Sequence, residues 1–163
     1  MAGKVVILDM DGTVVSTEER FNMCLKEVNA KSLEELKGAQ RKAFWSCFLS
    51  EKYMHLDTPK DNVIRVVREL KSRGYTIHVV SGRTENQLNA TIEQLQKFNV
   101  PYDKITLRRI GDYRKDYEFK GEVVRSYVEQ GFEVIIIDDS ADVRALLPER
   151  AYSPDNLPDP ESL

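Results

Sequence analysis

Asp9 and Asp11, in Leu8-Asp9-Met10-Asp11-Gly12-Thr13-Val14, are the residues best suited to chemistry. They follow a short apolar run, Val5 to Leu8, and on an extended strand end side chains two apart face the same way. One carboxylate can then attack while the other handles protons. Attack on phosphorus gives an aspartyl-phosphate, which divides a hard displacement into two easier steps, and the neighbouring acid protonates the leaving oxygen. The transferred group carries its charge on three oxygens, so positive charge and hydrogen-bond donors must be fixed around it. Ser81, Arg83, Lys120 and the backbone amides after Asp9 are the available donors.

These residues need a scaffold that gathers strand ends. Four β-branched apolar runs, Val5 to Leu8, Thr76 to Val80, Lys104 to Leu107 and Glu133 to Ile137, alternate with segments of helical period. That alternation predicts an α/β fold with a parallel sheet flanked by helices, and a weaker fifth strand is expected near Arg150 to Tyr152. Helices are predicted over Asp61 to Arg73, Glu85 to Phe98 and Asp116 to Gln130. Residues 17–56 are longer than a simple crossover and predict a small two-helix insertion after the first strand. In such sheets ligands bind beyond the carboxyl ends of the strands. Asp9 and Asp11, Ser81-Gly82-Arg83, and Asp138-Asp139-Ser140 follow three of the four runs. Carboxylates converging there repel one another unless a hard cation on oxygen ligands joins them, which implies Mg2+.

The motif Asp9-Met-Asp11-Gly-Thr13-Val, Ser81 after the second run, a later lysine and Asp138-Asp139 after the fourth resemble the four motifs of the haloacid dehalogenase-like hydrolases. The resemblance covers Lys4 to about Leu147 and implies a Rossmann-like fold. It also implies Asp9 as nucleophile, Asp11 as general acid and base, Thr13, Ser81 and a lysine on the phosphoryl group, and a metal served by Asp9, Asp11, Asp138 and Asp139. Aspartate at position 11 favours phosphate transfer over dehalogenation. Asp116 at a helix start sets Lys120 about one turn in, which favours it over Lys115.

Ser81-Gly82-Arg83 and the run Leu107 to Lys120 are similar to the phosphatase domain of bacteriophage-type polynucleotide kinase-phosphatases. Arg114, Asp116 and Lys120 match its arginine, aspartate and lysine pattern, and Arg20 is the counterpart of an arginine that follows the nucleophile motif. This adds Arg20, Gly82, Arg83, Arg114 and Asp116 to the substrate-binding residues and implies a DNA or RNA 3'-phosphate end as substrate. No Gly-x-x-x-x-Gly-Lys-[Ser/Thr] loop occurs, so the expectation is a phosphatase without a kinase half. A mononucleotide or small-molecule phosphatase and a non-catalytic phosphate-binding module are the competing readings.

The 163 residues accommodate one domain, expected over residues 1–153, with a core supported by 41% hydrophobic content. A net charge of -3 provides no general attraction to polyanions, so nucleic acid would need a local patch, for which Arg108, Arg109, Arg114 and Lys115 are candidates. Trp45, Phe48 and Tyr53 could stack on a base, although their helical spacing favours the apolar underside of the insertion. His55 and His78 lack metal-ligand spacing. Cys24 and Cys47 read as packing thiols of a reducing cytoplasm, and residues 154–163 as a poorly ordered tail. No apolar stretch reaches membrane-spanning length, so a cytoplasmic protein with no membrane partner is expected.

Overall fold

The computed structural model describes residues 3–163. Five strands form one parallel sheet in the order β5-β4-β1-β6-β7. They are β1 (Lys4–Leu8), β4 (Thr76–Thr84), β5 (Lys104–Arg108), β6 (Glu133–Ile137) and β7 (Ala151–Tyr152). Four correspond to the apolar runs, and β7 to the weaker strand expected near Arg150 to Tyr152. The period of two explains why helices cover both faces: Val6 and Leu8 of β1 join one core cluster with Ile135 and Ile137 of β6, while Val5 and Ile7 join the other with Val134 and Ile136.

Helix α3 (Asp61–Ser72) and α4 (Leu88–Lys97) cover the first face; α3 buries Val63, Ile64, Val67 and Leu70, the stripe read from its sequence. Helices α5 (Asp116–Glu129) and α6 (Ala141–Arg144) cover the second. Chain order leaves β1 with crossovers departing to both sides, and the strands' carboxyl ends splay around it.

The insertion consists of α1 (Glu18–Glu27), α2 (Gly38–Phe48) and single 3-10 turns at Leu33–Glu35 and Met54–Leu56. Its base is closed by a ribbon that the sequence did not signal, β2 (Val15–Ser16) antiparallel to β3 (Thr58–Pro59). It has its own core, in which Phe44 and Leu25 meet Phe21 and Phe48. Cys24 and Cys47 are joined there as a disulfide, with Cα atoms 5.8 Å apart, which corrects the reading of two separate thiols and withdraws the argument for a reducing compartment built on them. The two positions face each other only because α1 packs on α2, and a separation of 23 residues gives no hint of it.

Residues 154–163 also depart from expectation. Pro154, Pro158 and Pro160 are buried, Leu157 and Leu163 pack on the first core cluster, and Asn62 Nδ2 donates to the Pro154 carbonyl at 3.0 Å. Spaced apolar residues hidden in an acidic, turn-rich composition dock this segment beside α3. Among the described residues, no helix is long and apolar enough to cross a membrane.

Candidate active site

Register builds the centre of the site. Leu8 pairs with Ile137, so the next residues, Asp9 and Asp138, leave neighbouring strands side by side, and the Asp9 amide donates to the Ile137 carbonyl at 3.1 Å. Asp139 completes a group of three carboxylates that each offer an oxygen within 4.8 Å of the others. Lys120, from the second turn of α5, reaches into this group: its buried ammonium lies 2.9 Å from Asp9 Oδ1, 2.7 Å from Asp138 Oδ2 and 3.0 Å from Asp116 Oδ2. Thr13 Oγ1 donates to Asp9 Oδ2 at 2.9 Å and accepts from the Asp139 amide at 3.0 Å. Both oxygens of Asp9 are thereby oriented.

Burial pushes the Asp9 carboxyl well above the usual range; Lys120 opposes this, and Asp138 and Asp139 add to it. Burial also pushes Asp138 up against the pull of Lys120. For Lys120 itself burial favours loss of the proton, but Asp9, Asp138 and Asp116 outweigh it and the proton is held more tightly than usual. One ammonium set against Asp9 and Asp138, with Asp139 beside them, leaves excess negative charge on hard oxygen donors, the donor set that suits Mg2+. Gly12 makes the approach of Asp139 possible. Its φ is +83°, and a Cβ there would overlap Asp139 Oδ2 and stand 2.9 Å from Cγ.

Asp11, expected among the metal residues, stands outside the carboxylate group. Its Oδ1 is gripped by Arg20 Nη2 at 2.6 Å and by Arg83 Nη2 and Nε at 2.7 and 3.1 Å. Burial raises its pKa, but the charges of Arg83 and Arg20 outweigh this and hold the carboxyl below its ordinary value. Spacing of two put Asp9 and Asp11 together in sequence, yet the turn that follows β1, with Gly12 at positive φ, sends the second toward a different set of partners.

Arg20 and Arg83, expected to bind substrate, are therefore engaged with Asp11, and both also meet the buried Asp57. Arg83 still lines the pocket that Asp9 and Asp11 open into, a cavity of about 370 Å3 also walled by Ser81, Gly82, Arg108, Asp116 and Asp139. Ser81 Oγ accepts from the Arg83 amide at 3.1 Å, and a Cβ on Gly82 would come within 2.8 Å of Asp116 Oδ1, so glycine allows that side chain to close in. Asp116 also accepts from Arg108 Nη2 at 3.1 Å.

Arg114 lies outside the pocket that holds Asp9 and lines the neighbouring cleft. Its guanidinium pairs with Asp112 at 2.9 Å and with Glu122 at 3.0 Å, whereas Arg108 holds Asp116 and faces the pocket. Arg108, one of the basic-patch candidates, is the last residue of β5, so the strand-end rule also points to it. Asp57 had no such signal. His78 is structural: it sits between Tyr127 Oη at 2.8 Å and Thr106 Oγ1 at 2.7 Å, and burial, aided by Lys104, lowers its pKa to about 4.

Trp45, Phe48 and Leu49 of the insertion form the remaining wall of the pocket, so this aromatic group both supports the insertion's core and faces the site. Beyond it runs an open cleft of about 680 Å3 that shares Trp45, Leu49, Arg108 and Asp116 and adds Arg41, Tyr113, Lys115 and Tyr117.

A family model described as "Polynucleotide kinase PNKP phosphatase domain" matches residues 36–147, the stretch that contains Ser81, Arg83, Asp116, Lys120 and both Asp138 and Asp139. Similar solved structures include the Pnkp1/Rnl/Hen1 complex, with TM-score 0.64 and 22% identity over 93% of this chain and 45% of the other. The Pnkp1/Rnl/Hen1 RNA repair complex gives TM-score 0.65 and 22% identity over 92% and 42%. An apo phosphoserine phosphatase gives TM-score 0.59 and 19% identity over 93% and 86%. The chain thus spans less than half of the Pnkp1-complex chains it matches. No curated protein matches it.

Proposed function

The chain belongs to the polynucleotide kinase PNKP phosphatase-domain family, and from that premise we propose that it is a magnesium-dependent phosphomonoesterase acting on the 3'-phosphate end of DNA or RNA. The observation that carries the reading is one pocket with two carboxylates held in opposite ways: Asp9 by Lys120 and Thr13, Asp11 by two arginines.

Asp9 attacks phosphorus as the ester bond breaks, and Asp11 gives its proton to the departing hydroxyl oxygen. Asp11 then takes a proton from the water that attacks the aspartyl-phosphate, so inorganic phosphate leaves and the acid is restored. The arginines favour the anion of Asp11, and an arriving phosphate dianion offsets them, which lets the carboxyl hold its proton when it is needed. Lys120 and Ser81 line the phosphoryl position. Asp9, Asp138 and Asp139 would hold Mg2+, which when bound supplies charge neutralisation for the transferred group.

For the polymer substrate the support is the cleft that continues from the pocket. Trp45, Tyr113 and Tyr117 offer ring faces, and Arg41 and Lys115 offer charge, the combination that holds single strands by stacking and backbone contact. The test is a panel: phosphate release from a 3'-phosphorylated oligonucleotide, mononucleotides, sugar phosphates and an aryl phosphate, with and without Mg2+. Preference for the oligonucleotide is expected, together with loss of all turnover in a folded Asp9→Asn variant. Preference for a small metabolite refutes the substrate, and wild-type activity of the variant refutes the mechanism.

A further inference from the structure

Asp57 lies outside every motif, in the turn between the insertion and β3, and its carboxylate has no exposed surface. Its Oδ1 is 3.1 Å from Arg20 Nε, and its Oδ2 is 3.4 Å from Arg83 Nη2 while accepting from Gln94 Nε2 at 2.9 Å. The same two guanidiniums close on Asp11, and among the described residues their contacts to it fall on Oδ1 alone. Their outer edges are tied as well: Arg20 Nη1 donates to the Phe48 carbonyl at 3.1 Å and Arg83 Nη1 to Thr91 Oγ1 at 2.9 Å. Two buried cations side by side are tolerable only between two anions, and Asp57 is the second anion.

A guanidinium left with a single carboxylate tends to fork across both of its oxygens. Here Asp57 shares with Asp11 the Nε and Nη2 edge of each arginine, meeting Arg20 at Nε and Arg83 at Nη2. We infer that Asp57 is a positioning residue for the phosphatase reaction: it takes a share of the edge that Arg20 and Arg83 turn toward Asp11, so that they meet on Oδ1 of Asp11 alone, and keeps Oδ2 free to exchange a proton with the leaving oxygen. The inference rests on the acid and base role proposed for Asp11. It also gives the insertion a part in the chemistry, because α1 contributes Arg20 and the chain leaving the insertion contributes Asp57.

The experiment compares two esters on each protein preparation: an alkyl phosphate, whose leaving oxygen requires a proton, and a nitrophenyl phosphate, whose leaving group departs as a stable anion. The ratio of the two kcat values is independent of how much of the sample is folded. Asp57→Asn is expected to lower kcat on the alkyl ester about tenfold or more, within the range general acid catalysis supplies, and to leave the aryl ester within about threefold. Gln94→Met removes the donor on Asp57 Oδ2 without altering any charge, and should move the ratio in the same direction by less; if Asp57→Asn does not fold, this variant decides. An unchanged ratio in the variants overturns the inference. Asp11→Asn sets the full size of the split, and its failure to change the ratio, or a wild-type protein inactive on both esters, would instead remove the reading of Asp11 on which the inference stands.

Discussion

Replacing Lys120 with methionine keeps an apolar stem of similar length but removes the ammonium shared by Asp9, Asp138 and Asp116. Breaking a buried ion pair by deleting one partner costs about 3–5 kcal/mol, because the remaining charges stay buried. In a domain of this size each kcal/mol moves Tm by about 2–4 °C, so metal-free Lys120→Met should melt roughly 6–20 °C below wild type. The sign with pH follows from the shifts. Lys120 binds its proton more tightly in the fold than in the unfolded chain, so its contribution is complete at every pH below about 10.4 and is fully lost in the variant at neutrality. Asp9 and Asp138 are raised by burial, so they stabilise the fold in acid, below their unfolded values, and that contribution disappears as pH rises through the folded ones. Without Lys120 to lower them both rise further, and the deficit of the variant should therefore be larger at pH 8 than at pH 5. Added Mg2+ supplies another cation to the same carboxylates and should raise Tm of the variant by more than that of wild type. Calorimetric melts at the two pH values, in chelator and in Mg2+, measure all of this. A variant within about 2 °C of wild type in chelator, or an equal response to Mg2+, would refute the reasoning that Lys120 is the counter-charge of an incomplete cation site.

Gly12→Ala should injure the proposed Mg2+ site more than the fold. The positive φ costs about 1–2 kcal/mol, while the new Cβ displaces Asp139, so the Mg2+ concentration needed for half-maximal activity should rise about tenfold or more; an unchanged requirement would sink this account. Cys24→Ser with Cys47→Ser opens the link between α1 and α2 and should cost about 3 kcal/mol by loop entropy. Wild-type Tm should fall correspondingly in a reductant and that of the double variant should not move, and a wild-type protein insensitive to reductant contradicts the linkage.

Much of the sheet and its chemistry was legible because it is local. Three of the four apolar runs, β1, β4 and β6, are buried at the centre of the sheet as their composition leads one to expect, whereas Lys104–Arg108 is an edge strand and only half-buried, and α3 announces itself by Val63, Ile64, Val67 and Leu70 on one face. Polar residues at the ends of those runs could be assigned to one rim before any contact was known, and the structure brings Asp9, Asp138 and Asp139 together there, with Lys120 of α5 against them and Ser81 on the wall of the same pocket. The tail failed the same test for the opposite reason: its turn-rich composition masked Leu157 and Leu163, whose burial depends on a groove that exists only once α3 is docked.

The sequence by itself determined which residue types stand at the strand ends, and so the class of chemistry available to the protein. Only the tertiary structure decided who meets whom. It separated Asp11 from the cluster of Asp9, Asp138 and Asp139, set Arg108 and not Arg114 against Asp116, brought Cys24 to Cys47, and buried Asp57 between two arginines drawn from α1 and β4. The physical reason is that periodicity specifies the face a side chain occupies, whereas its partner depends on strand register and on how the insertion packs, and both are settled by contacts between residues far apart in the chain.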